Sequence, residues 1–197
     1  MSDVFAQCRA YILCGFATML QQTICAGRTD FMNFVNTRND ADGKTLLTFA
    51  IQKGQSDCVK ILLLHGANPN VADASYAMPL GCATGQPEVI AALIDANLDL
   101  DEGSVGAILW EQDEGLTEAV FEKVDNVDAP VNVGGDEFIP LIYATKLGFH
   151  GCVEILIRRG ANVDAVDGDG YTALAMALEY GGPEYERIVH MLTDSAQ

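Results

Sequence analysis

A pattern that recurs every 33 residues constrains this chain more than any other feature of its sequence. One unit, residues 139–171, consists in order of an apolar helix opened by Pro140, a break at Gly148, a second apolar helix at 152–159, a stop at Gly160 and a polar turn at 162–170. Thr172 then takes the place of Ile139, and the pattern begins again. Self-similarity at such a period predicts a stacked array, in which each unit buries its apolar face against its neighbours.

A second clear unit begins at Thr45. It opens with T-L-L-T-F-A at residues 45–50 and closes with G-A-N-P-N at residues 66–70. These motifs resemble the T-P-L-H-x-A opening and the G-A-D-V-N closing of the ankyrin repeat family, and they carry the same physical logic. Gly66 is suited to the left-handed conformation that ends a helix. Asn and Asp side chains in the turn bond nearby backbone.

The resemblance implies an all-α ankyrin-repeat solenoid of helix-turn-helix units with projecting β-turn fingers. It covers about 150 residues and gives five to six units, including worn caps. The expected units are residues 1–44 (a helical cap and a degenerate repeat), 45–77, 78–105 (shortened), 106–138 (degenerate and acidic), 139–171 and 172–197 (a C-terminal capping repeat).

The less regular units carry more specific expectations. We expect an N-terminal cap helix broken near Gly15, then a worn first helix at residues 18–27 and its second helix at 29–35. Gly85 comes two residues early, so the first helix of its unit should be short. In the acidic unit, Gly106 should open the first helix and Gly115 should be the glycine between the two helices.

The charge of the chain is strongly negative and unevenly spread. The net charge is −17, and residues 101–197 alone carry 19 acidic and five basic side chains. Residues 99–137 carry 12 acidic side chains against Lys123. Nucleic acids and anionic membranes need basic surface, so we expect neither as a partner. The charge favours a basic protein partner, although a solvated acidic face alone would also explain it.

Six cysteines occur without the spacing of a zinc site or of a disulfide framework: Cys8, Cys14, Cys25, Cys58, Cys82 and Cys152. Cys58 and Cys152 fall at the same position of two repeats, where an apolar residue is usual. We therefore expect buried, reduced thiols and a cytoplasmic location.

Residues 10–20 form an apolar run that could be taken for a signal-peptide core. Asp3 stands where a basic start would be, and no small-x-small cleavage site follows. No run reaches the roughly 18 apolar residues that a membrane span needs. We expect neither a secretion signal nor a membrane segment.

No pattern of a metal site, a cofactor site or a catalytic centre stands out. Residues 164–172 contain D-G-D-G, but an EF-hand calcium loop would need acidic residues where Ala165 and Met176 stand. His65, His150 and His190 lie in three different repeats without a partner at metal-ligand spacing. Neither a G-x-S-x-G motif nor a phosphate loop occurs. We expect no metal, no cofactor, no enzymatic activity, and a monomer in the absence of a partner.

In ankyrin proteins the first helices line a concave face, the second helices form the back, and the turns project as fingers. Members of the family mostly bind proteins through the fingers and the concave face. The resemblance therefore implies a protein-protein interaction module. The small size and acidic charge of the chain favour an inhibitor or immunity-type protein that blocks a basic site on a toxin or enzyme over a scaffold, which stays an alternative. A purely structural role, with the acidic unit as a spacer, is the remaining alternative.

The fifth position of each opening holds a large or apolar side chain: Phe49, Cys82, Trp110, Tyr143 and Met176. Framework packing between first helices would explain this set, and so would an aromatic contact stripe, since Trp and Tyr often anchor interfaces. Trp110, the only tryptophan, is the first choice among them. The candidate contacts are, on the helices, Trp110, Glu111, Asp113, Glu114, Tyr143, Lys146, Glu179 and Tyr180, and, in the fingers, Tyr76, Asp136, Glu137, Phe138, Asp169 and Tyr171.

Overall fold

The computed structural model describes residues 3–27, 31–32, 34–39, 41–133 and 136–195. Helices in pairs make up most of this part of the chain, as the repeat pattern predicts. The chain divides into two compact units, Met1–Asp99 and Leu100–Gln197. We call them the N-terminal unit and the C-terminal unit.

The described residues of the N-terminal unit form three helix pairs: α1 (Asp3–Cys14) with α2 (Ala17–Ala26), α3 (Leu46–Gln52) with α4 (Ser56–Leu64), and α5 (Pro79–Cys82) with α6 (Pro87–Asp95). The first helices α1, α3 and α5 pack in a row, and the second helices α2, α4 and α6 form a parallel row behind them. Thr45 caps α3 by accepting a hydrogen bond from the Thr48 amide at 3.1 Å. The prediction of a short first helix before Gly85 is confirmed by the four residues of α5.

The expectation that residues 18–27 form the first helix of a worn repeat is wrong. The α1 helix packs against α3 and α2 packs against α4, so α1 is the first helix and α2 the second helix of one pair. Gly15, at φ 70°, makes the turn between them. The expected second helix at residues 29–35 falls partly outside the described residues, and Phe31, Met32 and Phe34 have helical geometry.

An aromatic and cationic cluster fixes α1 on this unit. Phe5 meets Phe34 edge-to-face at 5.5 Å between ring centroids, and both side chains are buried. The Arg9 guanidinium lies 3.8 Å from the Phe49 ring centroid and bonds Asp42, which fixes it in place. Phe49 is thereby a framework residue.

The C-terminal unit has the same plan: α7 (Glu102–Trp110) with α8 (Glu114–Phe121), α9 (Pro140–Lys146) with α10 (His150–Arg158), and α11 (Ala173–Tyr180) with α12 (Pro183–Ser195). The first helices α7, α9 and α11 pack in sequence, as do the second helices α8, α10 and α12. Cys152 in α10 is buried and its Sγ lies 3.2 Å from the Thr117 hydroxyl of α8. Cys58, at the same repeat position in the N-terminal unit, is also buried.

One finger is a β-hairpin, where the sequence suggested only a turn. Strand β1 (Val131–Val133) pairs antiparallel with β2 (Asp136–Phe138), with Val131 opposite Phe138. Val131 is buried and β1 packs against α7. The alternation of Val131, Asn132 and Val133 is the only sequence hint of this pairing, because three residues are too few for a clear period-2 pattern.

Asn and Asp side chains link several neighbouring helix pairs within a unit. Asn36 Oδ1 accepts from the Asn68 amide at 2.7 Å, and Asn70 Oδ1 accepts from the Asp99 amide at 2.9 Å. In the C-terminal unit Asp128 Oδ1 accepts from the Asn162 amide at 2.9 Å. The Asn and Asp residues of the turns thus satisfy backbone donors of the neighbouring repeat as well as of their own.

Candidate protein-binding surface

The acidic repeat is shifted from the alignment that the sequence suggested. The α7 helix begins at Glu102, four residues before Gly106, and Asp101 Oδ1 caps it by accepting from the Ser104 amide at 2.7 Å. Gln112, at φ 59°, occupies the left-handed position that Gly148 has in the next repeat, at φ 74°. Gly115 lies inside α8 and is not the glycine between the helices.

This shift moves Trp110 to a different surface position. Counted back from the left-handed residue, Trp110 aligns with Lys146 and Glu179, which stand two residues before Gly148 and Gly181. Trp110 is therefore not the fifth-position equivalent of Tyr143. Its side chain is 56% exposed at the end of α7. A large aromatic side chain on the surface of a first helix is available to a partner.

The structure places Tyr143 in the core, contrary to the expectation that it contacts a partner directly. Its side chain is only 4% exposed, and burial raises the pKa of its phenol. Its ring packs on Phe138 with 5.1 Å between centroids, and the Lys146 ammonium lies 4.8 Å from the Phe138 ring centroid. These three residues dock the hairpin finger on α9. Phe49 and Tyr143 therefore both support the framework-packing interpretation of the fifth position.

The hairpin finger presents two acidic side chains to solvent. Asp136 and Glu137 are exposed on β2, and neither has an ion-pair partner among the described residues. The following finger contains Asp169 and Tyr171, both exposed, beside an isolated bridge between Val166 and Thr172. These side chains lie at the surface of the two fingers, where another molecule could contact them.

Asp113 and Glu114 have local structural roles that the sequence did not reveal. Asp113 is the N-cap of α8, where its Oδ1 accepts from the Leu116 amide at 2.9 Å. The Glu114 side chain lies against Gly151 so closely that a Cβ there would overlap it. It thereby meets the positive end of α10, whose N-cap Phe149 supplies no side-chain hydrogen bond. Reversing these two charges would remove the cap of α8 and a favourable charge at the start of α10, so neither position tests binding alone.

At the C-terminal end, Tyr180 stacks on Tyr185 with 5.5 Å between ring centroids and 15° between planes. The Tyr185 hydroxyl donates to the Lys146 carbonyl at 3.2 Å. Tyr180 remains half exposed, and Glu179 beside it is exposed. The stack fixes the Tyr180 ring at the end of α11.

Together these side chains define what we call the front surface of the C-terminal unit. They lie at the ends of the first helices α7, α9 and α11 and in the two fingers: Trp110, Glu111, Asp136, Glu137, Lys146, Asp169, Tyr171, Glu179 and Tyr180. Of the other candidates, Tyr76 belongs to the N-terminal unit, and Asp113, Glu114, Phe138 and Tyr143 support the framework.

All three arginines of the C-terminal unit are held on the second helices. Arg158 and Arg159 of α10 bond Glu118 of α8, and Arg159 also approaches Glu122 at 3.4 Å. The Arg159 hydrogen bond holds the pKa of Glu118 below its usual value. Arg187 of α12 approaches Glu154 of α10 at 3.4 Å. Only the Glu154–Arg187 pair lies one repeat, 33 residues, apart, and that spacing could have indicated it from the sequence. The Glu118 pairs are 40 and 41 residues apart and follow no repeat spacing.

The described residues contain no group of three or more side chains placed to hold a metal ion. Within the same residues, no helix combines the length and the apolar character that crossing a bilayer requires.

The family model described as "Ankyrin repeats (3 copies)" matches residues 10–104 and 107–197. The chain belongs to the ankyrin repeat family. Each match falls almost within one structural unit, and each unit contains three helix pairs. The ankyrin repeat domain of Bcl-3 superimposes with a TM-score of 0.71 at 21% identity, over 95% of this chain and 85% of that one, which shows the shared fold.

Curated relatives are much longer proteins. The chain is 28% identical over 173 residues to human transient receptor potential cation channel subfamily A member 1, covering 80% of the chain and 15% of that protein. It is 33% identical over 152 residues to zebrafish (Danio rerio) neurogenic locus notch homolog protein 1, covering 76% and 5%. It is 30% identical over 136 residues to mouse ankyrin repeat and SOCS box protein 16, covering 66% and 30%. These ankyrin repeats thus span less than a third of each of these relatives.

Proposed function

We propose that this chain is a non-enzymatic protein-protein interaction module whose C-terminal unit binds a basic protein through the front surface. Ankyrin repeats serve in general as protein-binding modules, which supports the general class. The basic character of the partner rests on the distribution of charge in the C-terminal unit.

The observation that carries this proposal is the pairing of the arginines. Arg158, Arg159 and Arg187 are matched by three glutamates on second helices, so these six charges cancel. Of the other two basic residues, Lys146 lies over the Phe138 ring and Lys123 has an interaction of its own. The whole excess of acidic charge therefore lies outside the arginine pairs, and the front surface holds five of the sixteen acidic residues outside those pairs. A negative surface attracts a basic partner over several ångströms and speeds its encounter.

Charge reversal on the hairpin finger tests the proposal. We expect Asp136→Lys/Glu137→Lys to slow association with the partner, because both side chains are exposed and neither caps a helix. Stopped-flow association rates should fall steeply for the wild type between 0.1 and 1 M salt, since the screening length drops from about 10 Å to about 3 Å. The rate of dissociation should change less.

The matched control is Glu186→Lys/Asp194→Lys on α12, which makes the same change in net charge away from the front surface. If both double variants slow association equally, net charge alone is responsible and the front surface has no special role. If wild-type rates are flat from low to high salt, the acidic charge serves solubility and the proposal fails.

Trp110 distinguishes binding from the structural alternative. We expect Trp110→Ala to weaken binding by about 2 kcal/mol or more, since exposed aromatic side chains are frequent interface anchors. Its thermal midpoint should change little because the side chain is mostly outside the core. A binding isotherm and a thermal melt measure both effects. A lower midpoint with unchanged binding would instead support a spacer role for the acidic repeat.

An inhibitor or immunity-type role is a narrower form of the same proposal. A small acidic surface that covers a basic active site would abolish the activity of a toxin or enzyme at a one-to-one ratio. Titrating the chain into an assay of such a partner distinguishes this role from that of a scaffold, which would bind and leave the activity intact.

A further inference from the structure

The finger at residues 73–77 holds a tyrosine in a backbone conformation that suits glycine. Tyr76 has φ 64°, in the left-handed region where a Cβ crowds the backbone. Its side chain is 87% exposed, more than any other large apolar side chain in the described part of the chain. The ring therefore gains no packing contact in the fold that would offset the strain of its backbone.

The other finger of the same type shows what the turn alone requires. In the finger at residues 167–171, Asp167 Oδ1 accepts from the Tyr171 amide at 2.8 Å, and Gly170 is left-handed at φ 84°. In the finger at 73–77, Asp73 Oδ1 accepts from the Ala77 amide at 3.0 Å, and Tyr76 stands in the place of Gly170. An aspartate and a glycine are sufficient for this turn, so its geometry does not explain the tyrosine.

The base of this finger is firmly held. The nearly buried Asp73 carboxylate also accepts from the Ser75 amide at 2.8 Å and from the Ser75 hydroxyl at 2.6 Å. The Ser75 hydroxyl bond holds the pKa of Asp73 below its usual value, so the carboxylate stays ionised at neutral pH. The Ala74 amide donates to the Gly43 carbonyl of the preceding finger at 2.8 Å. The backbone that carries the ring is therefore fixed before binding, so that little backbone freedom is lost when the ring binds.

The tyrosine's neighbours along the chain are uncharged, although the ionised Asp73 stands at the base of the finger, Lys44 lies near that carboxylate, and the chain carries a net charge of −17. Residues 74–79 read A-S-Y-A-M-P, and Met78 beside the tyrosine is also exposed. A contact at this tip would remove apolar surface from water and would not depend on charge attraction.

We infer that Tyr76 is the anchor of a second contact, in which its ring inserts into an apolar pocket of a protein partner. The inference rests on the proposed function, since it requires that the chain bind a protein. Strained residues cluster at binding sites, where the surrounding structure holds them, and a rigidly presented tyrosine is a common energetic centre of an interface. A second copy of the chain is a poor occupant, because it would bring together two molecules with a charge of −17 each.

The first part of the test concerns stability and needs no partner. We expect Tyr76→Gly to raise the thermal midpoint, because glycine removes the strain. Tyr76→Ala should leave the midpoint nearly unchanged, because alanine keeps the Cβ and loses only an exposed ring. A clear fall in the midpoint of Tyr76→Ala would show that the ring supports the fold, and would overturn the inference.

The second part measures affinity for the protein that the intact wild-type chain recovers from its source, once that protein has been purified. We expect Tyr76→Ala and Tyr76→Gly each to weaken binding at least about tenfold. Leu64→Ala, which removes another exposed apolar side chain of the same unit from the second helix α4, is the matched control and should weaken it less. Tyr76→Gly would then be more stable than the wild type and yet bind more weakly. A purely structural role of Tyr76 would not give that combination.

An unchanged Kd for both Tyr76 variants would overturn the inference, and the proposed function would stand if the hairpin charge reversal still slowed association. Analytical sedimentation of the chain alone measures whether a second copy of the chain occupies this site. A dimer that forms in the wild type and disappears in Tyr76→Ala would make a second copy the occupant, and would refute the assignment to a different protein.

Discussion

At the scale of single residues, three residues other than glycine adopt left-handed backbone conformations in the described part of the chain: Tyr76, Asn97 and Gln112. Asn97 is the least costly, because asparagine visits this region more readily than most residues. Gln112 takes the place that glycine has between the helices of the neighbouring repeat. This one substitution explains why sequence alignment misplaced the acidic repeat, since a search for the missing glycine leads to Gly115, inside α8.

Replacing Gln112 with glycine should stabilise the chain. We expect Gln112→Gly to raise the free energy of unfolding by about 1 kcal/mol, because a left-handed residue with a Cβ is strained. Urea unfolding measures the difference. Asn97→Gly is the matched control and should give a smaller gain. An equal gain at both positions, or a loss at Gln112, would show that the glutamine side chain compensates for its backbone.

At the scale of elements, neighbouring second helices are joined through their ends as well as their apolar faces. The α10 helix begins without a side-chain cap of its own, and Glu114 at the start of α8 lies against its second residue, Gly151. The small residue at this point of α10 and the acidic residue one repeat earlier are therefore a matched pair. Neither looks unusual when its own repeat is considered alone.

This pairing predicts a non-additive double-mutant cycle. In the Glu114→Ala background, Gly151→Ala should stabilise by up to about 1 kcal/mol, because alanine favours the helix. In the wild type the same change should stabilise less or destabilise, since the new methyl group displaces the Glu114 side chain. We expect a coupling energy of about 0.5 kcal/mol or more from urea unfolding of the four proteins. Additive effects would mean that Glu114 moves aside without cost.

At the scale of the whole molecule, the strongly periodic repeats were predictable and the worn ones were not. Residues 45–77 and 139–171 have the expected helix pairs because glycines and an N-terminal threonine or proline mark their ends. In residues 1–44 the same helical periodicity fits a first or a second helix equally well. Only the packing of α1 on α3 decides between them.

The candidate surface was predictable in its charge and not in its details. The acidic block and the exposed finger tyrosines Tyr76 and Tyr171 follow from sequence, because position in a repeat indicates which side chains face solvent. Trp110 is exposed at a different repeat position from the one that the sequence suggested. The burial of Tyr143 and the capping role of Asp113 depend on the register of neighbouring repeats. The pattern of a single repeat does not contain that information. The sequence therefore suggested partner contacts for Tyr143 and Asp113, which support the framework instead.

The buried thiols give the molecule a set of internal reporters. Cys8, Cys58 and Cys152 lie in α1, α4 and α10, and burial raises the pKa of each, for Cys8 to about 11. Alkylating reagents attack the thiolate, so each of these cysteines must wait for its helix to open before it can react. Cys14 and Cys25 are exposed and Cys82 is partly exposed, so these three will be modified first. The order in which the other three become labelled would then rank the helix pairs of one unmutated chain by how often each opens.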